Sequence, residues 1–239
     1  MKGSKELFSF GIWSTAKRKR FPLTRPFRAW LRNCKGMRVV IFGGSFDPVH
    51  CGHLAMANCA REELSPNRFL WAPAWHSPGK PSMDGAAPEE RVALLECVIQ
   101  EREAEEIYAG EIVREGTSWT VDTLRDLEIL YPGANFTLLI GADCLGRLVE
   151  WKNVEEVFHR ASFAVCPRGG KGAETLEEMK SQLPENLRGL FKAVMLSMKE
   201  HSCSSTLVRK TLRDGGNLDH LVPVVVANEI AKLDMYQTS

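Results

Sequence analysis

No apolar run in the chain approaches the roughly 20 residues that a membrane-crossing helix needs, which excludes a spanning protein of that kind. The seven cysteines, at positions 34, 51, 59, 97, 144, 166 and 203, contain no Cys-x-x-Cys pair and are odd in number. That pattern excludes a disulfide framework and points to reduced thiols in a cytoplasmic compartment. No internal repeat is present, and one domain accounts for the chain. Acids are nearly missing from one end. Residues 1–38 hold eleven Lys or Arg against a single acid, Glu6, a local charge of +10. Of the totals of 31 bases and 30 acids, twenty bases and twenty-nine acids remain for the rest, so the net +1 hides a basic arm on a domain of −9. The other 44% hydrophobic and 26% charged composition is that of an ordinary globular chain, and 239 residues suffice for one well-buried core.

What is present is organised around residues 39–54. Val39-Val40-Ile41-Phe42 reads as a buried strand. Gly43-Gly44 follows as a tight turn, and Leu54, Ala57, Ala60 and Leu64 then fall at helical spacing. A strand, a glycine turn and a helix N-terminus make an anion site, because free N–H groups and the helix dipole both favour phosphate. His50 and His53 flank the turn, where imidazoles can donate to oxygens that gain charge in a transition state. Metal is the weaker reading of this pair, since no second ligand pair with zinc-like spacing follows; no protein-held metal is expected.

Further strands are expected at residues 68–72, 107–112, 136–140, 162–166 and 192–198. Helices are expected from Pro88, from the hydroxyl cluster Thr117-Ser118 with Thr120, over 174–187, from Ser204-Ser205-Thr206 to Leu212, and over 223–233. Residues 73–88, rich in Pro and Gly, read as a binding loop or lid. This alternation predicts an α/β, Rossmann-like doubly wound, mostly parallel sheet with helices on both faces. In such sheets ligands sit at the carboxyl ends of the strands.

The ordered string Gly43-Gly44-Ser45-Phe46-Asp47-Pro48-Val49-His50-Cys51-Gly52-His53 closely resembles the first signature of nucleotidyltransferases related to class I tRNA synthetases. In this form it looks like that of the bacterial nicotinate-nucleotide adenylyltransferase family. Ser204-Ser205-Thr206-Leu207-Val208-Arg209 resembles the family's Ile-Ser-Ser-Thr-x-Ile-Arg motif, with Cys203 in the first Ile position. Ser118-Trp119-Thr120-Val121-Asp122-Thr123-Leu124 resembles its Ser-Tyr-Thr-x-x-Thr-Leu. Gly141-Ala142-Asp143 with Leu145, Leu148 and Trp151 resembles its Gly-x-Asp signature and following Trp. The likeness spans residues 37–239. One departure stands out: Ser77-Pro78-Gly79-Lys80 replaces the family's Pro-Pro-His-Lys, so any contact from that His is lost or moved to His76.

The resemblance implies adenylyl transfer from ATP to nicotinate mononucleotide, giving deamido-NAD and pyrophosphate in NAD biosynthesis. It implies a catalytic set of His50, His53, Lys80 and Arg209, with the histidines on the α- and β-phosphates. Gly43, Gly44, Ser45, Phe46, Gly52, Gly141, Asp143, Ser204, Ser205 and Thr206 would complete the ATP site, with Asp143 accepting from the ribose hydroxyls. Thr120 would hold the pyridine carboxylate, with Trp119 beside it and Trp151 stacked on the ring. Mg²⁺ would arrive bound through ATP phosphates and water. Asp47 orients the turn or holds a water. The alternatives are transfer to nicotinamide mononucleotide, a pantetheine phosphate or a flavin phosphate, or a non-catalytic nucleotide-binding regulator. The arm, residues 1–36, has three readings: an organelle transit peptide, a nucleic-acid or lipid contact through Lys17 to Arg20, or a start-site extension without regular structure. The last is favoured, because a family-like chain begins naturally at Met37. Oligomeric state is not legible.

Overall fold

The computed structural model describes residues 34–79, 85–100, 102–199 and 201–236; Lys80 and residues 1–33 of the arm lie outside them. The chain runs β1 (Arg38–Gly44), α1 (Cys51–Leu64), β2 (Arg68–Pro73), α2 (Pro88–Ile99), β3 (Glu105–Ile107), α3 (Gly110–Arg114) and α4 (Thr120–Leu130). It continues through β4 (Asn135–Gly141), a 3₁₀ segment (Ala142–Glu150), α5 (Val154–Arg160), β5 (Ala161–Cys166), α6 (Ala173–Gln182), α7 (Glu185–Arg188), β6 (Ala193–Met195), α8 (Ser205–Arg213) and α9 (Val224–Lys232).

The six strands form one sheet in the order β3-β2-β1-β4-β5-β6. Every pairing is parallel. Parallel strands covered on both sides read as continuous apolar runs, and β1 does so: Val39, Val40, Ile41 and Phe42 are all buried. Successive side chains point to opposite faces, so Val39 and Ile41 enter one core layer while Val40 and Phe42 enter the other. The first layer packs Val121, Leu124 and Leu127 of α4, Val157 and Phe158 of α5 and Leu176 and Met179 of α6. The second packs Met56, Ala57 and Ala60 of α1, Leu94 and Leu95 of α2, and Val226 and Ile230 of α9. The doubly wound fold expected from the alternation is the observed one.

Three local expectations are corrected. Residues 107–112 are not a strand: β3 ends at Ile107, and Gly110 opens the short helix α3. The helix over 174–187 is split, because Pro184 supplies no N–H and its neighbour must stay extended. The last strand keeps only Ala193–Met195 at the sheet edge. The packed core includes a residue before Met37: Cys34 is 1% exposed within the first core layer. No helix among the described residues is long and apolar enough to cross a membrane.

Candidate active site

After β1, β2 and β3 grow the sheet in one direction, while β4 returns to the other side of β1 and β5 and β6 extend it the opposite way. A crevice opens at the carboxyl ends of β1 and β4, the point where strand order reverses. It holds a cleft of about 750 Å³ whose floor includes Gly43, Gly44 and Gly141.

At its centre α1 begins with an unusual cap. The Nδ1 of His50 accepts from the His53 N–H at 3.3 Å, and the Nδ1 of His53 accepts from the His50 N–H at 3.3 Å. The two imidazoles thus close a reciprocal capping box, a task usually given to Ser and Glu. An Nδ1 that accepts leaves the ring proton on Nε2, so each ring keeps a donor. The rings stack with centroids 3.7 Å apart. His53 lines the cleft, held edge-on by Phe46 at 4.9 Å. His50 lies behind it, 1% exposed, and its buried Nε2 has no hydrogen-bond partner among the described residues. Burial first, then the nearby charges of Arg168 and His201, lower the His50 pKa from 6.5 to about 3, so this imidazole is neutral at neutral pH.

The second helix start, that of α8, stands beside the first. Ser204 caps it by accepting from the Leu207 N–H at 3.2 Å. Ser205 donates to the Pro48 carbonyl at 3.0 Å, tying α8 to the loop before α1. Gly52 makes this approach possible, since a Cβ there would lie 3.1 Å from the Cys203 carbonyl and 3.0 Å from the His50 ring. Ser45, Ser204, Ser205 and Thr206 all line the cleft, and Ser45 shares a hydrogen bond of 2.9 Å with Ser77.

Arg209 differs from expectation. Its guanidinium donates to the Asp47 carbonyl and lies 3.5 Å from the Asp47 carboxylate, and it does not line the cleft. Asp47 is a junction: Oδ1 also accepts from the Ala86 N–H at 2.9 Å and from Tyr236 at 2.7 Å. Arg91, 4% exposed, braces the same loops by donating to the carbonyls of Ser45, Trp75 and Ala86.

Across the cleft, Trp119, Thr120 and Trp151 come together as expected, with Lys152 Nζ 5.4 Å from the Trp119 ring centre. Trp151 leans on Phe163 at 6.3 Å. Asp143 is exposed to the cleft and faces Arg168 at 3.6 Å. Phe46 is part wall and part core, since it is 1% exposed and packs on Trp71 at 5.4 Å. His76 pairs through its carbonyl with the Ser118 N–H and does not line the cleft; the Arg147 guanidinium lies 3.2 Å from where a Cβ on Gly79 would stand. Gly79 has φ +72, a conformation that favours glycine.

Sequence reasoning missed five charged cleft residues, Arg147, Lys152, Arg168, Glu111 and Glu150. Arg168 had one legible signal, its place directly after a buried strand and before a glycine pair. Three cations, Arg147, Lys152 and Arg168, and three carboxylates, Glu111, Asp143 and Glu150, line the cleft; Arg147 pairs with Glu150 at 3.0 Å and Lys152 with Asp122 at 3.1 Å. Among the described residues no group of three His, Cys, Asp or Glu side chains could hold a metal ion, and the donors present are hydroxyls, N–H groups and cations.

The family comparison agrees with this geometry. The Cytidylyltransferase-like family model matches residues 41–211. A Gloeobacter violaceus protein named "Probable nicotinate-nucleotide adenylyltransferase" is 37% identical over 204 residues, covering 84% of this chain and 97% of its own. A Desulfitobacterium hafniense protein of the same name is 32% identical over 206 residues, with 86% and 98% covered. Among solved structures, the Plasmodium falciparum nicotinic acid mononucleotide adenylyltransferase complexed with NaAD aligns with a TM-score of 0.63 at 18% identity, covering 84% of this chain and 97% of that one, a likeness of fold. With cleft, motifs and relatives in agreement, the chain belongs to the nicotinate-nucleotide adenylyltransferase family, within the cytidylyltransferase-like nucleotidyltransferases.

Proposed function

We propose that this chain transfers the adenylyl group of ATP to nicotinate mononucleotide. A phosphate oxygen of the mononucleotide attacks the α-phosphorus in line, the bond to the β,γ-pyrophosphate breaks, and deamido-NAD and pyrophosphate leave. The attacking oxygen is already anionic, so no general base or protein nucleophile is required. The protein contributes position and charge.

The observation that carries this reading is the His50–His53 box at the helix start. It supplies two imidazole N–H donors at the start of α1. The buried, unpartnered Nε2 of His50 is a donor that a phosphate oxygen would satisfy. His53 would act from the cleft wall. Ser45, Ser204, Ser205 and Thr206 would cradle the triphosphate, with Arg168 and Arg147 neutralising its charge. Lys80 keeps its expected phosphate role as part of the proposal. Arg209 would act indirectly, by holding the Asp47 loop from which the box is hung. Gly141 and Asp143 would receive the ribose, Trp119 and Trp151 the pyridine ring, and Thr120 its acid group. Mg²⁺ would be held by phosphate oxygens and water, which fits donors chosen for phosphate rather than for a metal cage, and it would spread the charge of the leaving pyrophosphate. The seven cysteines, none of them in a disulfide, favour a cytoplasmic site for the reaction.

Pyrophosphate release from ATP, measured with a panel of acceptors, tests the reading. Nicotinate mononucleotide should support release and yield the dinucleotide. Preference for a pantetheine or flavin phosphate, or no release with any acceptor, would overturn it.

A further inference from the structure

One buried carboxyl in the cleft has no part in the phosphate chemistry. Glu111 sits on the five-residue helix α3, is 7% exposed, and lines the cleft on the side of Trp119 and Thr120. Burial pushes its pKa above the ordinary carboxylate value, opposed by hydroxyl donors from Thr123 and Ser118 and by the charge of Arg114. Its Oε1 accepts from the Thr123 hydroxyl at 2.6 Å. Arg114 donates to the same Thr123 oxygen at 3.1 Å, which turns the Thr123 proton toward Glu111. Ser118, the second donor to Glu111, accepts from the Trp75 N–H at 2.9 Å, while its own N–H reaches the His76 carbonyl at 2.9 Å. Glu111 therefore grips α4 on both sides of Thr120 and, through Ser118, holds the loop that carries Ser77 and Gly79.

The consequence lies in the start of α4. Ser and Thr beside a helix start normally turn their oxygens back to cap its first N–H groups. Here the N-cap residue is Trp119, and the helix carries no side-chain cap. The nearest hydroxyl before it, Ser118, is directed to Glu111, and so is Thr123 one turn on. The Trp119 carbonyl takes the N–H groups of Asp122 and Thr123 at 3.0 and 3.3 Å, so those of Thr120 and Val121 are left uncapped, and uncapped N–H groups at a positive helix end favour a carboxylate. We propose that Glu111 is the positioning residue of the acceptor subsite. It holds the Ser118 hydroxyl away from the helix start and anchors α4 through Thr123, so that the N–H groups of Thr120 and Val121 are presented uncapped to the acid group of the acceptor. The inference rests on the proposed acceptor, nicotinate mononucleotide.

The test compares Glu111→Gln, and Ser118→Ala in an otherwise native chain, by steady-state kinetics, by calorimetric binding of nicotinate mononucleotide and by thermal melting. Either variant should raise KM and Kd for the mononucleotide about tenfold, the loss expected when one or two charge-assisted contacts are misdirected. The KM for ATP and the kcat at saturation should stay within about twofold. The double variant should cost little more than either single one, because both break the same linkage. An unchanged mononucleotide KM in both single variants would overturn the role, as would an equal rise in the KM for ATP tracking a loss of melting temperature. If the native protein uses another acceptor but not nicotinate mononucleotide, the proposed function itself falls. If it uses nicotinate mononucleotide and Glu111→Gln matches it, only the present inference does.

Discussion

The hydroxyl of Tyr236 donates to Oδ1 of Asp47 at 2.7 Å, joining residues 189 positions apart. The bond links the segment after the last helix to the loop that sets His50 at the start of α1. Burial and the Asp47 charge push the tyrosine pKa well above its usual value, so the hydroxyl stays a donor throughout the working range. Asp47 meanwhile offers its other oxygen and its carbonyl to Arg209.

From this follows the first prediction. Tyr236→Phe removes one hydrogen bond and should lower stability by about 1 kcal/mol. Asp47→Ala also leaves Arg209 and the Ala86 N–H without their partner and should be the more damaging change in both melting temperature and kcat/KM. Urea titration and initial rates check the order. If the two variants melted alike and kept native activity, the junction would be incidental.

The second concerns pH. The pKa of His50 is near 3 in the folded protein against 6.5 ordinarily, so the unfolded chain binds more protons between those values. Stability from this group is fully present above about 6.5 and is lost as pH falls toward 3, with up to about one proton taken up on unfolding. His50→Asn, whose amide oxygen can still cap, should flatten the slope of stability against pH in that window. An unchanged slope would show that His50 is not held neutral.

The third concerns His53. Replacing it by Ala should cut kcat by about 10²–10³-fold, the effect of one lost transition-state donor. Loss of the His53 half of the cap should destabilise α1 by about 1 kcal/mol as well. Native turnover would remove His53 from the mechanism.

The fourth concerns the arm. The charge break places the domain start at Met37, but Cys34 is 1% exposed in the core and its carbonyl accepts from the Met37 N–H at 2.9 Å. Deletion of residues 1–33 should leave melting and kcat/KM near native, whereas deletion of 1–36 should lower the melting temperature. Equal melting of the two truncations would show that Cys34 contributes nothing.

Much of the fold and the phosphate side of the site was legible because its signals are local. Strand, glycine turn and helix start lie within sixteen residues, and the hydroxyl cluster Ser204-Ser205-Thr206 opens α8. What was not legible depends on pairings distant in sequence. Arg209 reads as a phosphate ligand until the fold brings Asp47 to it across 162 positions. Glu111 sits in a stretch whose apolar neighbours, Ile107, Ile112 and Val113, suggest a strand, since short apolar runs do not separate strand from helix. Nothing local marks it as buried; only the folded contacts with Ser118 and Thr123 do.

Acceptor choice tests the account most directly. Nicotinate and nicotinamide mononucleotides have nearly the same shape, so an uncapped helix start with Thr120 must tell them apart by hydrogen-bond polarity. A site that offers only donors satisfies both carboxylate oxygens, whereas an amide NH₂ would face a donor, a mismatch of about 1–3 kcal/mol and more for a charged group. The measurement is kcat/KM for each mononucleotide with saturating ATP. The account predicts a preference for nicotinate mononucleotide of at least about a hundredfold, reduced by Thr120→Val and untouched by Trp151→Ala, which should weaken both alike. Comparable rates with the two acceptors in the native protein would contradict it.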